Sequence, residues 1–536
     1  MSRLLSDRRL SRGELLLAWG GLAIVAALAF IPHIRHGGFY LDDWSNAAGA
    51  LQPPGGPGVG NALSYFADLT IYRPVLVVYV PALYFAFGMS MDLHLIWSAF
   101  LALCVAGLLY GVLRTVGVPW FHAWAIAALT LVYPWFDSVR LWATASQISL
   151  SVALALGGLW LALAALRRPS WRWHLGAAAL YLLSILTYEV TLPLIAAAGL
   201  LYVLRSGWAA ARGRWAIDLA VVVAGAAWVG SQTKRETSSF SDNLEHLEQI
   251  VSAGGTLLGR TLLPVGAQQT TLALAFVAFV LLAGLATLVL LRREPSGGSA
   301  WGLREWLLLS AGGLAVAALG WFMFIPADPY YTPSVYGMTN RVNGLAGLGL
   351  VIAVYGCFGV LGNLIGQLRP QAPVVAVAVT LALGGALGIG FVDTLRRHIT
   401  IWDAAFVAER AAIDQLRTEF PRLRPETTLF VGGYPANQTL GVTILGATWD
   451  LDGMVKSEYE DGTLWAYPVL PGLRLACLPQ GVRLVGEGAP PTTPPYGKAL
   501  LVQLPTGERA RPRSRAQCRE VADRYVPGPL YLSYSY

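Results

Sequence analysis

The sequence predicts a mainly α, polytopic membrane protein of about eleven transmembrane helices, followed by a small C-terminal extracytoplasmic α/β domain. Three observations predict it. Of 536 residues, 55% are hydrophobic and only 13% charged, with a mean hydropathy of +0.54, a balance foreign to ordinary soluble domains. Before residue 393 there are about eleven apolar runs, most near the roughly 20 residues that cross ~30 Å of hydrocarbon. After residue 393 the runs give way to mixed charge and short alternating stretches between Pro and Gly turns.

The first run, 13–34, follows Arg3, Arg8, Arg9 and Arg12, and its only A-x-A, Ala27-Leu28-Ala29, lies inside the run. It reads as a retained span with the N-terminus in the cytoplasm rather than a cleaved signal. Further spans are expected at 92–114, 120–134, 146–166, 174–190, 192–205, 215–233, 271–292, 305–326, 342–366 and 372–392. Basic residues fall in every second loop: Arg167, Arg168 and Arg172, then Arg205, Arg212 and Arg214, then Arg292, Arg293 and Arg304, then Arg369. That alternation places these loops in the cytoplasm and the others outside. It also accounts for the net charge of +7 at span ends, facing membrane lipids, and leaves no reason to expect nucleic acid as a partner.

The expected membrane domain is 1–392, with outer segments 35–91, 135–145, 234–270 and 327–341. Segment 35–91 holds the Gly/Pro-rich LQPPGGPGVG and an apolar run, 75–88, interrupted at Pro81 and too short to cross, which suits an interfacial helix. The extracytoplasmic domain, 393–536, opens with a helical stretch whose Ile401, Ala404, Ala405, Ala408, Ala412 and Leu416 keep close to a 3.6 period, and continues with strands near 428–433, 482–487 and 499–504. Cys104 and Cys357 lie in apolar runs. Cys477 and Cys518 lie in this domain, where an oxidising compartment allows a disulfide; two buried free thiols are the alternative.

The sharpest chemical feature is the Asp42-Asp43-Trp44 sequence just beyond the first span. Adjacent carboxylates at a membrane boundary are costly to desolvate, and partial burial would raise the proton affinity of one, as a general base requires. They could also hold a divalent cation, Mg or Mn, through oxygen ligands; a solvated capping pair is the plain alternative. Tyr72-Arg73 opens the interfacial run with a guanidinium suited to phosphate or to a lipid headgroup. His94 stands at the outer start of the second span, Asp137 and Arg140 in the turn YPWFDSVRLW, and Glu189 in a turn so short that it lies near membrane depth. A salt bridge from Glu189 to Arg140 or Arg341 is its structural alternative. Arg341 stands beside Tyr330, Tyr331 and Tyr336 at the outer edge of a span, placed to meet an anionic headgroup. All of these project to one side of the bilayer.

The serial pattern FYLDDW, YRPVLVVYVPALYFAFGMSMDLHLIWSAF, LVYPWFDSVRLWATASQISL and LLSILTYEVTLPLIAAAGLLY resembles the GT-C superfamily of membrane glycosyltransferases, and within it the protein O-mannosyltransferase-like proteins. That superfamily also includes aminoarabinose transferases and oligosaccharyltransferase catalytic subunits. The resemblance covers about 13–205. Where those relatives carry His-Pro-x-His-x-Glu this chain has Tyr133-Pro134-Trp135-Phe136-Asp137, and Tyr188-Glu189 stands for Lys-Glu, so donor specificity is not carried over. The resemblance implies a polyprenyl-phosphate sugar as donor, a protein, lipid or polysaccharide acceptor, and a single inverting displacement. It further implies Asp42, the first acid of the pair, as base, Arg341 with Arg73 at the departing phosphate, and a divalent ion held with help from Glu189 as a sharer of that charge. A transporter or flippase of a lipid-linked saccharide and a non-catalytic assembly factor are the competing readings; no internal repeat supports the first.

Overall fold

The computed structural model describes residues 11–167, 170–233, 239–264, 301–367, 372–486 and 488–532. In chain order its helices begin with α1 (Arg12–His36), α2 (Asp42–Leu51), α3 (Val59–Thr70), α4 (Pro74–Phe87), α5 (Met91–Thr115) and α6 (Trp120–Val132). Then come α7 (Ser138–Leu141), α8 (Ser146–Arg167), α9 (Trp171–Thr187), α10 (Leu192–Ser206), α11 (Trp208–Gln232), α12 (Phe240–Leu262), α13 (Leu303–Phe322), α14 (Ala346–Gly366) and α15 (Ala372–Glu419). The C-terminal part adds α16 (Thr448–Glu458) and α17 (Arg515–Val521) among β1 (Thr428–Gly432), β2 (Asn437–Thr439), β3 (Val442–Thr443), β4 (Trp465–Pro468), β5 (Arg474–Leu478), β6 (Gly481–Val485), β7 (Ala499–Gln503) and β8 (Glu508–Ala510).

Among the described residues, 8 helices are long and apolar enough to cross a membrane, so the chain is a multi-pass membrane protein. Two further expected spans are shorter: α6 has 13 residues and α9 has 17. The run at 271–292 lies outside the described residues. The bundle is knit partly by glycine. In α13 and α14 a Cβ on Gly313 would stand 2.4 Å from the Ala353 nitrogen, and one on Gly349 would stand 2.3 Å from the Ala317 nitrogen, so the two backbones touch as small-residue membrane packing requires.

Three expectations are corrected. The first outer segment is helical rather than loop, folded into α2 and α3, and α4 runs unbroken through Pro81, as apolar helices tolerate when neighbours cover the freed carbonyl. The outer segment 234–270 contains the 23-residue α12, whose buried His246, Ile250, Gly254, Leu257 and Thr261 keep helical spacing. Residue 393, the expected domain boundary, lies within α15, a single helix of 48 residues. The composition changes there because the helix continues past its apolar stretch, not because it ends.

Beyond α15 the main sheet runs β4-β1-β7-β8. β1 is parallel to β4 and to β7, and β8 closes the edge antiparallel. β1 and β7 are buried along their whole length, which is why both read as short continuous apolar runs. A disulfide joins Cys477 on β5 to Cys518 on α17. The domain docks on the first outer segment through α16 and α2. A Cβ on Gly453 would lie 2.5 Å from the Trp44 carbonyl and the Ser45 nitrogen. We expect Gly453→Val to destabilise the protein by about 1–3 kcal/mol, read as a lowered Tm of the purified protein.

Candidate active site

The chain leaves α1 and turns sharply at Leu41, whose φ of 46° is left-handed space that a branched side chain occupies only at a cost. Asp43 clasps that turn. Its Oδ2 accepts the Tyr40 N–H at 3.0 Å, and its Oδ1 accepts both the Thr144 N–H at 2.7 Å and the Thr144 hydroxyl. The carboxyl is 0% exposed. Burial pushes it up to about 7, against the pull of the Thr144 and Tyr40 donors. Asp43 is thus consumed in holding the first outer segment to the second.

Asp42, the first residue of α2, is half-buried and faces the other way. Its Oδ1 accepts from the Trp449 indole N–H at 2.8 Å, while Oδ2 has no hydrogen-bond partner within the protein among the described residues. Burial raises its proton affinity; the Trp449 donor and the charge of Arg341 pull it back. A carboxylate poised in this way, with one oxygen free, is suited to accept a proton.

Arg341 comes from a 3-10 segment, Gly337–Asn343, and makes no ion pair among the described residues. Its guanidinium lies 5.4, 5.5 and 5.6 Å from the ring centres of Trp142, Tyr330 and Tyr331, a cation held by aromatic faces. Beside it, Arg73 grips Glu189 with two bonds of 2.8 and 2.7 Å and stacks on Tyr188 at 3.8 Å and Tyr72 at 5.0 Å. A small recess open to solvent is lined by Arg73, Tyr188, Glu189, Val190, Met323, Phe324, Ala327 and Tyr331. Its lining mixes the Arg73 and Glu189 pair and two tyrosines with apolar side chains.

The expected salt bridge of Glu189 to Arg140 or Arg341 is therefore corrected, because Arg73 takes the carboxylate with both of its fork positions. The pair is mostly buried, at 12% and 17% exposure. Breaking it by Arg73→Ala is expected to cost about 3 kcal/mol, and adding Glu189→Gln should recover part of the loss in a double-mutant thermal unfolding cycle. Asp43 faces Thr144 and Glu189 faces Arg73, and no group of three or more His, Cys, Asp or Glu among the described residues is placed to hold a metal ion.

Asp137 and Arg140 are fully buried supports. Asp137 accepts from His398 of α15 and from Asn340, and Arg140 donates to the carbonyls of Tyr133 and Thr130. Since Asn340 precedes Arg341, and Asn343 donates to the Trp135 and Ser334 carbonyls, this network fixes the segment that presents Arg341. His94 is packed between Phe39 and Tyr84, with ring centres 5.2 and 4.5 Å away. Trp44 donates its indole N–H to Glu409 of α15, whose carboxyl burial drives well up. Sequence reasoning missed Trp449, Asp450, Glu409, Asn340 and His398. The first two lie in the C-terminal domain, where no motif marks them. The rest are single polar residues in long helical or turn stretches, with no local pattern to mark them.

No family model matches the chain, and no curated protein does. Among solved structures it is similar to an oligosaccharyltransferase from Archaeoglobus fulgidus tethered to an acceptor peptide, at 13% identity and a TM-score of 0.37, over 85% of this chain and 64% of that one. It thus spans less than two thirds of that enzyme's length. It is similar also to ArnT from Cupriavidus metallidurans, at 14% identity and a TM-score of 0.37 for the apo state, over 84% of this chain and 85% of that one. For the form bound to undecaprenyl phosphate the values are 15% and 0.33, over 85% and 86%. At such identities and scores these are likenesses of layout, without weight for activity, substrate or partner.

Proposed function

We propose that the chain is an inverting membrane glycosyltransferase that moves a sugar from a polyprenyl-phosphate donor to an acceptor hydroxyl on the extracytoplasmic side, the N-terminus being cytoplasmic. The observation that carries this reading is the pairing of Asp42, with one oxygen free, and Arg341, a cation without an ion-paired carboxylate among the described residues, beside a recess whose lining mixes charged, aromatic and apolar side chains. The acceptor oxygen attacks the anomeric carbon as the bond from that carbon to the phosphate oxygen breaks. The hydroxyl proton passes to Oδ2 of Asp42, and the phosphate departs with the bonding pair, its growing charge met by Arg341. The polyprenyl tail lies along Val190, Met323, Phe324 and Ala327, within reach of the bilayer. The sugar, hexosyl or pentosyl, and the acceptor, whether protein, lipid or polysaccharide, are selected by contacts outside this group.

The test is transfer by the purified protein from a panel of radiolabelled polyprenyl-phosphate sugars. Wild type should give a product of inverted anomeric configuration, and Asp42→Asn should give at most about a hundredth of it. Full product from Asp42→Asn, or retained configuration, would overturn the reading.

A further inference from the structure

Asp42 and Trp449 are 407 residues apart in sequence, yet the indole N–H of one reaches a carboxylate oxygen of the other at 2.8 Å. Trp449 sits in the first turn of α16, and the structure fixes that turn from three sides. The buried Asp450 carboxylate accepts the Ala447 and Leu451 N–H groups. Gly453, one turn on, lies against the backbone of Trp44 and Ser45. Trp44 is itself tied to Glu409 of α15. The Trp449 ring is 51% exposed, so burial of apolar area does not account for where it stands.

We propose that Trp449 is a positioning residue for the transfer reaction, by which the C-terminal domain completes the active site. A carboxylate turns easily about its last torsion. One charge-assisted hydrogen bond to Oδ1 fixes its plane and leaves Oδ2 directed at the acceptor hydroxyl, which must come within about 2.6–3.2 Å for proton transfer. The domain is then part of the catalytic unit, and its docking on α2 is a condition for rate. This inference rests on Asp42 being the base.

The experiment follows Asp42 itself in the full-length protein. Infrared difference spectra across a pH titration contain a protonated-carboxyl band that Asp42→Asn removes, and that band reports the Asp42 midpoint. The other charged groups facing Asp42 are Asp43 on its own helix, Arg341 from the 3-10 segment and Asp450 from α16. All three are kept in Trp449→Phe, which removes only the donor. In that variant the midpoint should move to higher pH, because the lost bond favoured the ionised form. On the donor found active in the sugar panel, kcat should fall about tenfold with KM unchanged, the equivalent of one such hydrogen bond. An unmoved midpoint overturns the inference, and so does a moved midpoint with unchanged kcat. Full product from Asp42→Asn removes the base assignment instead, an outcome the titration distinguishes because it needs no substrate.

Discussion

Asp42→Asn is expected to lower transfer by roughly 10²–10⁴-fold while protein abundance and Tm stay near wild type, and Asp43→Asn is expected to do the reverse. The two neighbours differ in what their oxygens already do. Asp42 gives one oxygen to Trp449 and leaves the other free, so an amide there keeps the fold and loses the proton acceptor. Asp43 accepts from the Tyr40 N–H, the Thr144 N–H and the Thr144 hydroxyl. An amide has one acceptor oxygen, and its NH₂ group would face a donor, leaving a buried N–H unpaired. The Asp43 variant should therefore melt earlier, and the strained turn at Leu41 would lose its clasp. Activity should also fall on the acid side in wild type, since the working form of Asp42 is the carboxylate and burial has raised its proton affinity. For Asp43 the sign is opposite in stability. A carboxyl held near 7 when folded and near 3.9 when unfolded binds more protons in the folded state between those values. Its contribution is therefore present below about 3.9 and is lost as pH rises to about 7. A thermal unfolding series over that window reads it directly.

Arg341→Ala should have a comparable effect on rate, a loss of about 10²–10³-fold, with little change in Tm. Its guanidinium has no carboxylate partner to strand among the described residues and rests on Trp142, Tyr330 and Tyr331. Removing it takes a favourable charge away from Asp42 but breaks no ion pair among the described residues. Arg341→Lys should restore part of the rate, since the charge returns but the planar fork and its stacking do not. Titration with a polyprenyl phosphate, the donor class proposed above, should show weakened binding in the Ala variant and intermediate binding in the Lys variant. A wild-type rate in Arg341→Ala would remove this residue from the donor phosphate. The contrast with Arg73 is informative: both are outer-segment arginines on aromatic rings, but Arg73 is spoken for by Glu189 and should reveal itself in stability first.

The membrane-spanning layout was legible because a span is a local composition, and helix α4 because its apolar run is shorter than a span. The acid pair stood out because two adjacent carboxylates beside an apolar run have few inert explanations. The division of labour between them was not legible. It depends on Thr144 and Trp449, which lie 101 and 407 positions away from their partners, and such pairings leave no periodic trace. The same holds for Arg73 with Glu189, 116 residues apart. Either of two arginines looked equally suited to a phosphate until the side chains were placed. Helix α12 could have been read in the chain, since its buried positions keep helical spacing.

The far half of α15 turns three independent attachments into one mechanical element. His398, Trp402 and Glu409 meet Asp137, the Tyr40 hydroxyl and the Trp44 indole in turn, at helical separations of four and seven residues that put them along a single ridge. Each holds a different piece of the carboxylate side of the site. No one of those pieces can shift alone without shearing the ridge, so opening toward an acceptor would have to be a tilt of the whole shaft, carrying the sheet domain with it as a lever carries its handle.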